Sequence, residues 1–193
     1  MFAGVGGQGS LLIAELTSLA ATDAGFDVKQ TEVHGVSQRG GSVETHVRFG
    51  EKIYSPIVTP GEADVVLALE LLEALRFAHF ARKGEGIILA NDHEIVPGSV
   101  SGAEDKYPHN TLAFLRDKKM KVVVISATQI AHELGDGRMA NVVMLGALST
   151  MLQIPEQSWK KSLKLRLPPR YLEGNKKAFA AGERIVLEDK NVV

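Results

Sequence analysis

The chain has 193 residues, 45% hydrophobic and 23% charged, and its 22 basic and 23 acidic side chains leave a formal net charge of −1. That length suits one domain, residues 1–193, burying about 70% of its unfolded surface. The balanced charge leaves no footprint for nucleic acid or an anionic membrane. No apolar run reaches the roughly 18 residues of a membrane span and no secretory signal is seen, so a cytoplasmic protein is expected. The sequence has no cysteine, which excludes disulfides, a cysteine nucleophile and thiolate-held zinc or iron–sulfur centres.

Met1 to Ala3, extending to Val5, reads as a short strand entering Gly4-Val5-Gly6-Gly7-Gln8-Gly9-Ser10. Glycines let the backbone turn sharply and let a ligand approach its amides. A helix starting at Ser10 presents unpaired N–H groups and a partial positive charge, suited to phosphate or carboxylate. Gly6, Gly7, Gln8, Gly9 and Ser10 are therefore candidate cofactor-binding residues. The simpler reading is a tight turn that only serves helix–sheet packing. The spacing fits the G-x-G-x-x-G dinucleotide fingerprint, yet the acidic residue due about 20 residues later is poorly matched. Asp27 opens the next strand, and Glu32 comes late.

The helix from Ser10 to about Ala24 is apolar enough to pack closely on a sheet, and Gly25 closes it. Phe26 to Val33 reads as a strand pairing in parallel with the first. Glu32, His34, Gln38, Arg39, Gly40 and Gly41 then crowd polar side chains among glycines at a strand end, where α/β sheets bind ligands. An arginine flanked by glycine suits bidentate carboxylate or phosphate contact. These residues are a candidate interface or substrate-side loop, the alternative being a surface turn with Arg39 paired to a nearby acid.

Ser42 to Phe49 alternates as a strand, and the Gly50-Glu51-Lys52 turn suggests a hairpin with Ile53-Tyr54, making the sheet mixed. Ala63 to Leu69 and Ile87 to Ala90 read as buried strands around a helix from Glu70 to Lys83. Asp92 to Pro108 is irregular. Asn110 is placed to cap a helix from Thr111 to Lys119, and Lys121 to Ala127 reads as a central strand. The last third is helical: Thr128 to Leu134, the apolar Met139 to Leu152, a helix starting at Ile154-Pro155-Glu156, and Tyr171 to about Leu187. The fold class is α/β with a mixed, mostly parallel sheet and a Rossmann-like glycine loop.

The six histidines are scattered, and no metal site is expected. His46 and His79 read as structural. His34 is the one candidate for proton handling, with an orienting role the simpler reading. Glu70 and Glu73 lie one turn apart and read as solvated or salt-bridged carboxylates, with Arg76 as a ready partner. Gly135-Asp136-Gly137 with Asn141 lacks the long interval of a thiamine motif, so Asp136 is read as a capping turn. No self-sufficient catalytic set is visible.

Three elements together are more specific than any one: Gly4-Val5-Gly6-Gly7-Gln8-Gly9, Glu32-Val33-His34-Gly35, and Gln38-Arg39-Gly40-Gly41-Ser42-Val43. With Tyr54-Ser55-Pro56-Ile57 and Ala140-Asn141-Val142-Val143-Met144-Leu145-Gly146, they resemble the gamma-type small subunit of the 2-oxoacid:ferredoxin oxidoreductases over essentially the whole chain. Within that family the likeness is greatest to the small subunit of its indolepyruvate branch. The resemblance implies a three-layer α/β/α fold. It also implies a cytoplasmic hetero-oligomer whose large subunit holds thiamine diphosphate, Mg and iron–sulfur clusters, with coenzyme A as co-substrate and ferredoxin reached through the partner. The two glycine loops would face that partner. Family members carry a few more apolar residues before the first glycine, so a truncated or alternatively started first strand is also an expectation. Two other readings stay open, a free-standing dinucleotide-binding oxidoreductase and a non-enzymatic assembly module.

Overall fold

The computed structural model describes residues 1–34, 40–96 and 107–188. A six-stranded sheet comprises β1 (Phe2–Val5), β2 (Asp27–His34), β3 (Ser42–Gly50), β4 (Val65–Ala68), β5 (Ile87–Asn91) and β6 (Lys121–Ile125), in the order β2-β3-β1-β4-β5-β6. The pairings of β1 with β4, β4 with β5 and β5 with β6 are parallel, while β3 is antiparallel to both β1 and β2. The sheet is thus mixed and mostly parallel.

Two expected pairings differ. β2 does not lie beside β1, because β3 is inserted between them. The hairpin partner of β3 is β2, in register from Asp27↔Gly50 to His34↔Val43, and Ile53-Tyr54 forms no strand. Side chains explain the diversion. The Asp27 carboxylate accepts the Ile53 N–H at 2.9 Å, and Arg48 Nη1 donates to the Ser55 and Ile57 carbonyls at 3.4 and 3.1 Å. These contacts satisfy the backbone away from a ladder. The strand expected to be central, β6, is the sheet edge.

Strand residues alternate between two cores, as a pleat requires. Phe2, Val65, Leu67 and Leu89 face one side with α1 (Ser10–Asp23), α4 (Ala127–Glu133), α5 (Ala140–Ser149), α6 (Glu156–Arg166) and α7 (Pro169–Glu188). Ala3, Val66, Ala68 and Ile88 face the other with α2 (Leu71–Phe77) and α3 (Thr111–Asp117). The result is the three-layer arrangement. β4 is buried throughout, as expected for a strand covered on both faces.

Helix limits follow local chemistry. Gly25 ends α1: its N–H bonds to the Thr22 carbonyl and the Phe26 N–H to that of Ala21. The helix expected from Glu70 to Lys83 is shorter, since Glu70 caps α2 from outside and a 3₁₀ turn, Ala78–Phe80, follows Phe77. Asn110 makes no side-chain cap to α3. The apolar α5 is buried on nearly every side, its Gly146 pressed so close to the α7 backbone that a Cβ would collide with the Phe179 carbonyl. Among the described residues no helix is long and apolar enough to cross a membrane.

Candidate functional site

The carboxyl ends of β1, β2, β4 and β5 lie along one edge of the sheet, and the two glycine loops meet there. The Gly6 N–H donates to the Gly41 carbonyl at 2.8 Å, and the Gly40 N–H approaches the Gly6 carbonyl at 3.5 Å. The inserted β3 makes this possible, because the Val5↔Ser42 pair puts the start of the first loop beside the end of the second. A cavity of about 440 Å³ at the amino edge, bordered by Met1, Arg48, Val65 and Arg82, is separate from this junction.

Gln8 holds the first loop rather than reaching outward. Its Oε1 accepts the Val5 N–H at 2.7 Å, and its Nε2 donates to the Leu69 carbonyl at 3.0 Å. Both ends of the carboxamide are used, bridging β1 to the end of β4. Gly7 is the exposed tip. Gly9 sits at the N-cap of α1 in a left-handed conformation, φ 86°, with no side chain capping the helix and no acidic residue in its first turn. A Cβ on Gly9 would collide with Asn141 Nδ2 from α5. Ser10 and Asn141 are both buried.

For the second loop, Glu32 is exposed on β2 and His34 closes that strand with its backbone opposite Val43. Gln38 and Arg39 lie outside the described residues. Gly40 and Gly41 are the part that joins Gly6.

Two carboxylates read from the sequence as solvated or salt-bridged are buried here. Glu70 Oε2 accepts the Glu73 N–H at 2.9 Å, and its Oε1 accepts the Ile95 N–H at 3.1 Å and the Tyr107 hydroxyl at 2.5 Å. Burial and the adjoining Glu70 carboxylate push the Tyr107 phenol well above its ordinary range. Glu73 accepts from Ser42 Oγ and pairs with Arg76 Nε at 3.1 Å, so the ready partner read from spacing is real although the carboxylate is not exposed. The signal available in sequence was position: Glu70 directly follows a buried strand whose end lies at the ligand-facing edge.

Asp136 caps the turn Gly137–Met139, its Oδ1 accepting the Arg138 N–H at 3.0 Å. Hydrogen bonds from Arg138 hold its carboxyl at about 2. Among the described residues no group of three or more His, Cys, Asp or Glu is arranged to hold a metal. The described part of the junction offers backbone amides, one open helix end and polar side chains.

Comparison with known proteins decides the family. Residues 1–185 match the pyruvate ferredoxin/flavodoxin oxidoreductase family. The chain belongs to that family. The indolepyruvate oxidoreductase subunit IorB of Thermococcus kodakarensis is 40% identical over 192 residues, covering 96% of this chain and 94% of that one. The crystal structure of the keto/oxoacid ferredoxin oxidoreductase gamma subunit from Geobacter sulfurreducens superposes with a TM-score of 0.72 at 23% identity, covering 97% of each chain. A 2-oxoglutarate:ferredoxin oxidoreductase from Magnetococcus marinus, with 2-oxoglutarate, coenzyme A and succinyl-CoA bound, matches 98% of this chain within 31% of its own, with a TM-score of 0.74 and 21% identity. Both structures share the fold. The chain is homologous to the small subunits of these oxidoreductases, as the three-part motif implied.

Proposed function

We propose that this chain is the cluster-free small subunit of a ferredoxin oxidoreductase that acts on indolepyruvate or a related arylpyruvate. The observation that carries this reading is the match to an indolepyruvate oxidoreductase subunit across nearly the whole of both chains. The large subunit holds thiamine diphosphate, Mg and the iron–sulfur clusters, in keeping with a small subunit that has no thiolate to offer. Thiamine diphosphate supplies the carbanion chemistry of decarboxylation when bound there. Coenzyme A takes the acyl group and ferredoxin the electrons, through the partner.

In this reading the carboxyl edge faces the partner. Gln8 and the Gly6–Gly41 link fix the first loop, and with the Gly6 and Gln8 N–H groups held by the Gly41 and Val5 carbonyls, it is the amides from Gly9 onward that would meet a co-substrate. Glu32, His34, Gln38, Arg39, Gly40 and Gly41 form the contact loop, with Arg39 the group best suited to an anion or a partner carboxylate.

A free-standing dinucleotide enzyme is the weaker reading. The dinucleotide fingerprint uses an acidic residue on a strand next to the first. Here β3 stands in that place, and Glu32 is two strands away.

The test is reconstitution. Purified chain alone should reduce no dye with any 2-oxoacid. Together with its large subunit it should form a stable complex that reduces viologen fastest with arylpyruvates. Failure to associate, or turnover by this chain alone, would overturn the reading.

A further inference from the structure

We propose that Glu73 is a positioning residue for the partner face: acting through Ser42, it sets the second glycine loop against the first before the large subunit arrives. This rests on the reading of the carboxyl edge as the surface that meets the large subunit.

The two loops are closed into one hydrogen-bonded ring by the stretch Leu69 to Glu73, which leaves the end of β4 and enters α2. The Leu69 carbonyl accepts Gln8 Nε2 from the first loop at 3.0 Å and Asn91 Nδ2 from the end of β5 at 3.2 Å. Glu70 then caps α2, its Oε2 accepting the Glu73 N–H at 2.9 Å, which fixes the first turn of that helix. From that turn, Glu73 Oε2 accepts the Ser42 hydroxyl at the stem of the second loop. The Gly6–Gly41 bond closes the ring from the other side. Glu73 is thus the point at which the frame holding Gln8 also takes hold of the second loop.

The place of Ser42 shows what that bond adds. From Val43 onward β3 is paired with β2, but at Ser42 that ladder has ended and only the pairing with Val5 continues. Outward lie Gly41 and Gly40, the latter at φ 71°. The hydroxyl bond therefore falls where the sheet stops fixing the chain. Glu73 is 4% exposed, and its partner Arg76 is half in solvent. For stability alone an apolar side chain would serve a buried helix position at least as well. Glycine-rich segments have much conformational freedom to lose, and a loop fixed beforehand no longer loses it on association.

The full-length chain and its variants are titrated into the large subunit, with indolepyruvate-driven viologen reduction as the readout. The half-saturating concentration and the rate at saturation are read separately. Ser42→Ala and Glu73→Ala should each raise half-saturation about tenfold, as loss of a hydrogen bond to a charged acceptor would, and leave the saturated rate unchanged. Glu73→Gln keeps an acceptor for Ser42 and should stay within about threefold of wild type. Gly146→Ala, which loosens the α5–α7 contact instead, serves as a destabilised control and should not move half-saturation below its melting temperature. Half-saturation unchanged in Ser42→Ala, equal effects of Glu73→Gln and Glu73→Ala, or an equal rise in Gly146→Ala would each overturn the proposal. Should Glu73→Ala not fold, Ser42→Ala decides alone. A wild-type chain that does not associate with the large subunit overturns the functional reading, and this inference with it.

Discussion

Ser42 Oγ donates to Glu73 Oε2, tying the first residue of β3 to a carboxylate on α2 that is 4% exposed. Glu73 also holds Arg76, so one buried carboxylate anchors the stem of the second glycine loop from one side and a surface guanidinium from the other. Removing it leaves Ser42 unsatisfied in a half-buried place, a loss of about 1–3 kcal/mol. Glu73→Ala should therefore lower the urea midpoint clearly, and Glu73→Gln, which keeps an acceptor for Ser42, should lower it less. Equal effects from the two variants would show that the acceptor is not what matters.

Tyr107 and Glu70 give an alkaline prediction. Burial, then the Glu70 carboxylate, raises the phenol's pKa in the fold. A group with a raised folded pKa stabilises fully below its unfolded pKa of about 10, and that contribution is lost as pH rises beyond it. Absorbance titration of the folded protein should show a resistant ionisation step, that of Tyr107, delayed well above pH 10. Tyr107→Phe should abolish that resistant step and cost about 1.5–3 kcal/mol, since the hydrogen bond is to a charged acceptor.

His46 gives an acidic one. It is 2% exposed, its Nδ1 accepts the Val58 N–H at 3.0 Å and its Nε2 lies 3.6 Å from Glu44 Oε1. Desolvation pulls its pKa below the ordinary value, and Glu44 opposes this in part. With the folded pKa depressed, the stability from neutral His46 is present above about pH 6.5 and lost as pH falls through the folded value. The His46 ring resonance should keep its neutral position as pH falls through 6.5, where an unperturbed imidazole takes up its proton. A His46 ring that protonates there would contradict the burial argument.

Gly9→Ala should destabilise the chain by about 1–3 kcal/mol, through left-handed strain and collision with Asn141. Gly146→Ala should cost at least as much, because its Cβ meets the Phe179 carbonyl on a packed helix rather than a side-chain end that can turn. Thermal melts of the two variants read the order directly.

Most elements could be read from the sequence because apolar period and capping residues agree with the fold, as in α1 with Gly25 and in β4. The errors have one origin: side chains that act across long separations. The β–loop–α–β order argues for adjacent β1 and β2, yet β3 intervenes, and only the Val5↔Ser42 register shows it. The Gly50-Glu51-Lys52 turn looks like a hairpin until Asp27 and Arg48 draw the following chain away. At the site, the glycines announced themselves. Gln8, a candidate ligand from its place in the glycine loop, also braces Val5 against Leu69, and this contact, like the burial of Glu70, Glu73 and Asn141, depends on neighbours distant in sequence.

The central claim is that the joined glycine loops, fastened through Gly6 and Gly41, are the face this subunit gives to its partner. Hydrogen exchange of the chain alone and in complex with the large subunit tests it most directly. The account predicts that new protection concentrates on residues 4–12 and 40–44. Protection gathered instead around Arg48, Asp64 and Arg82 at the opposite edge, with the glycine loops unchanged, would contradict it.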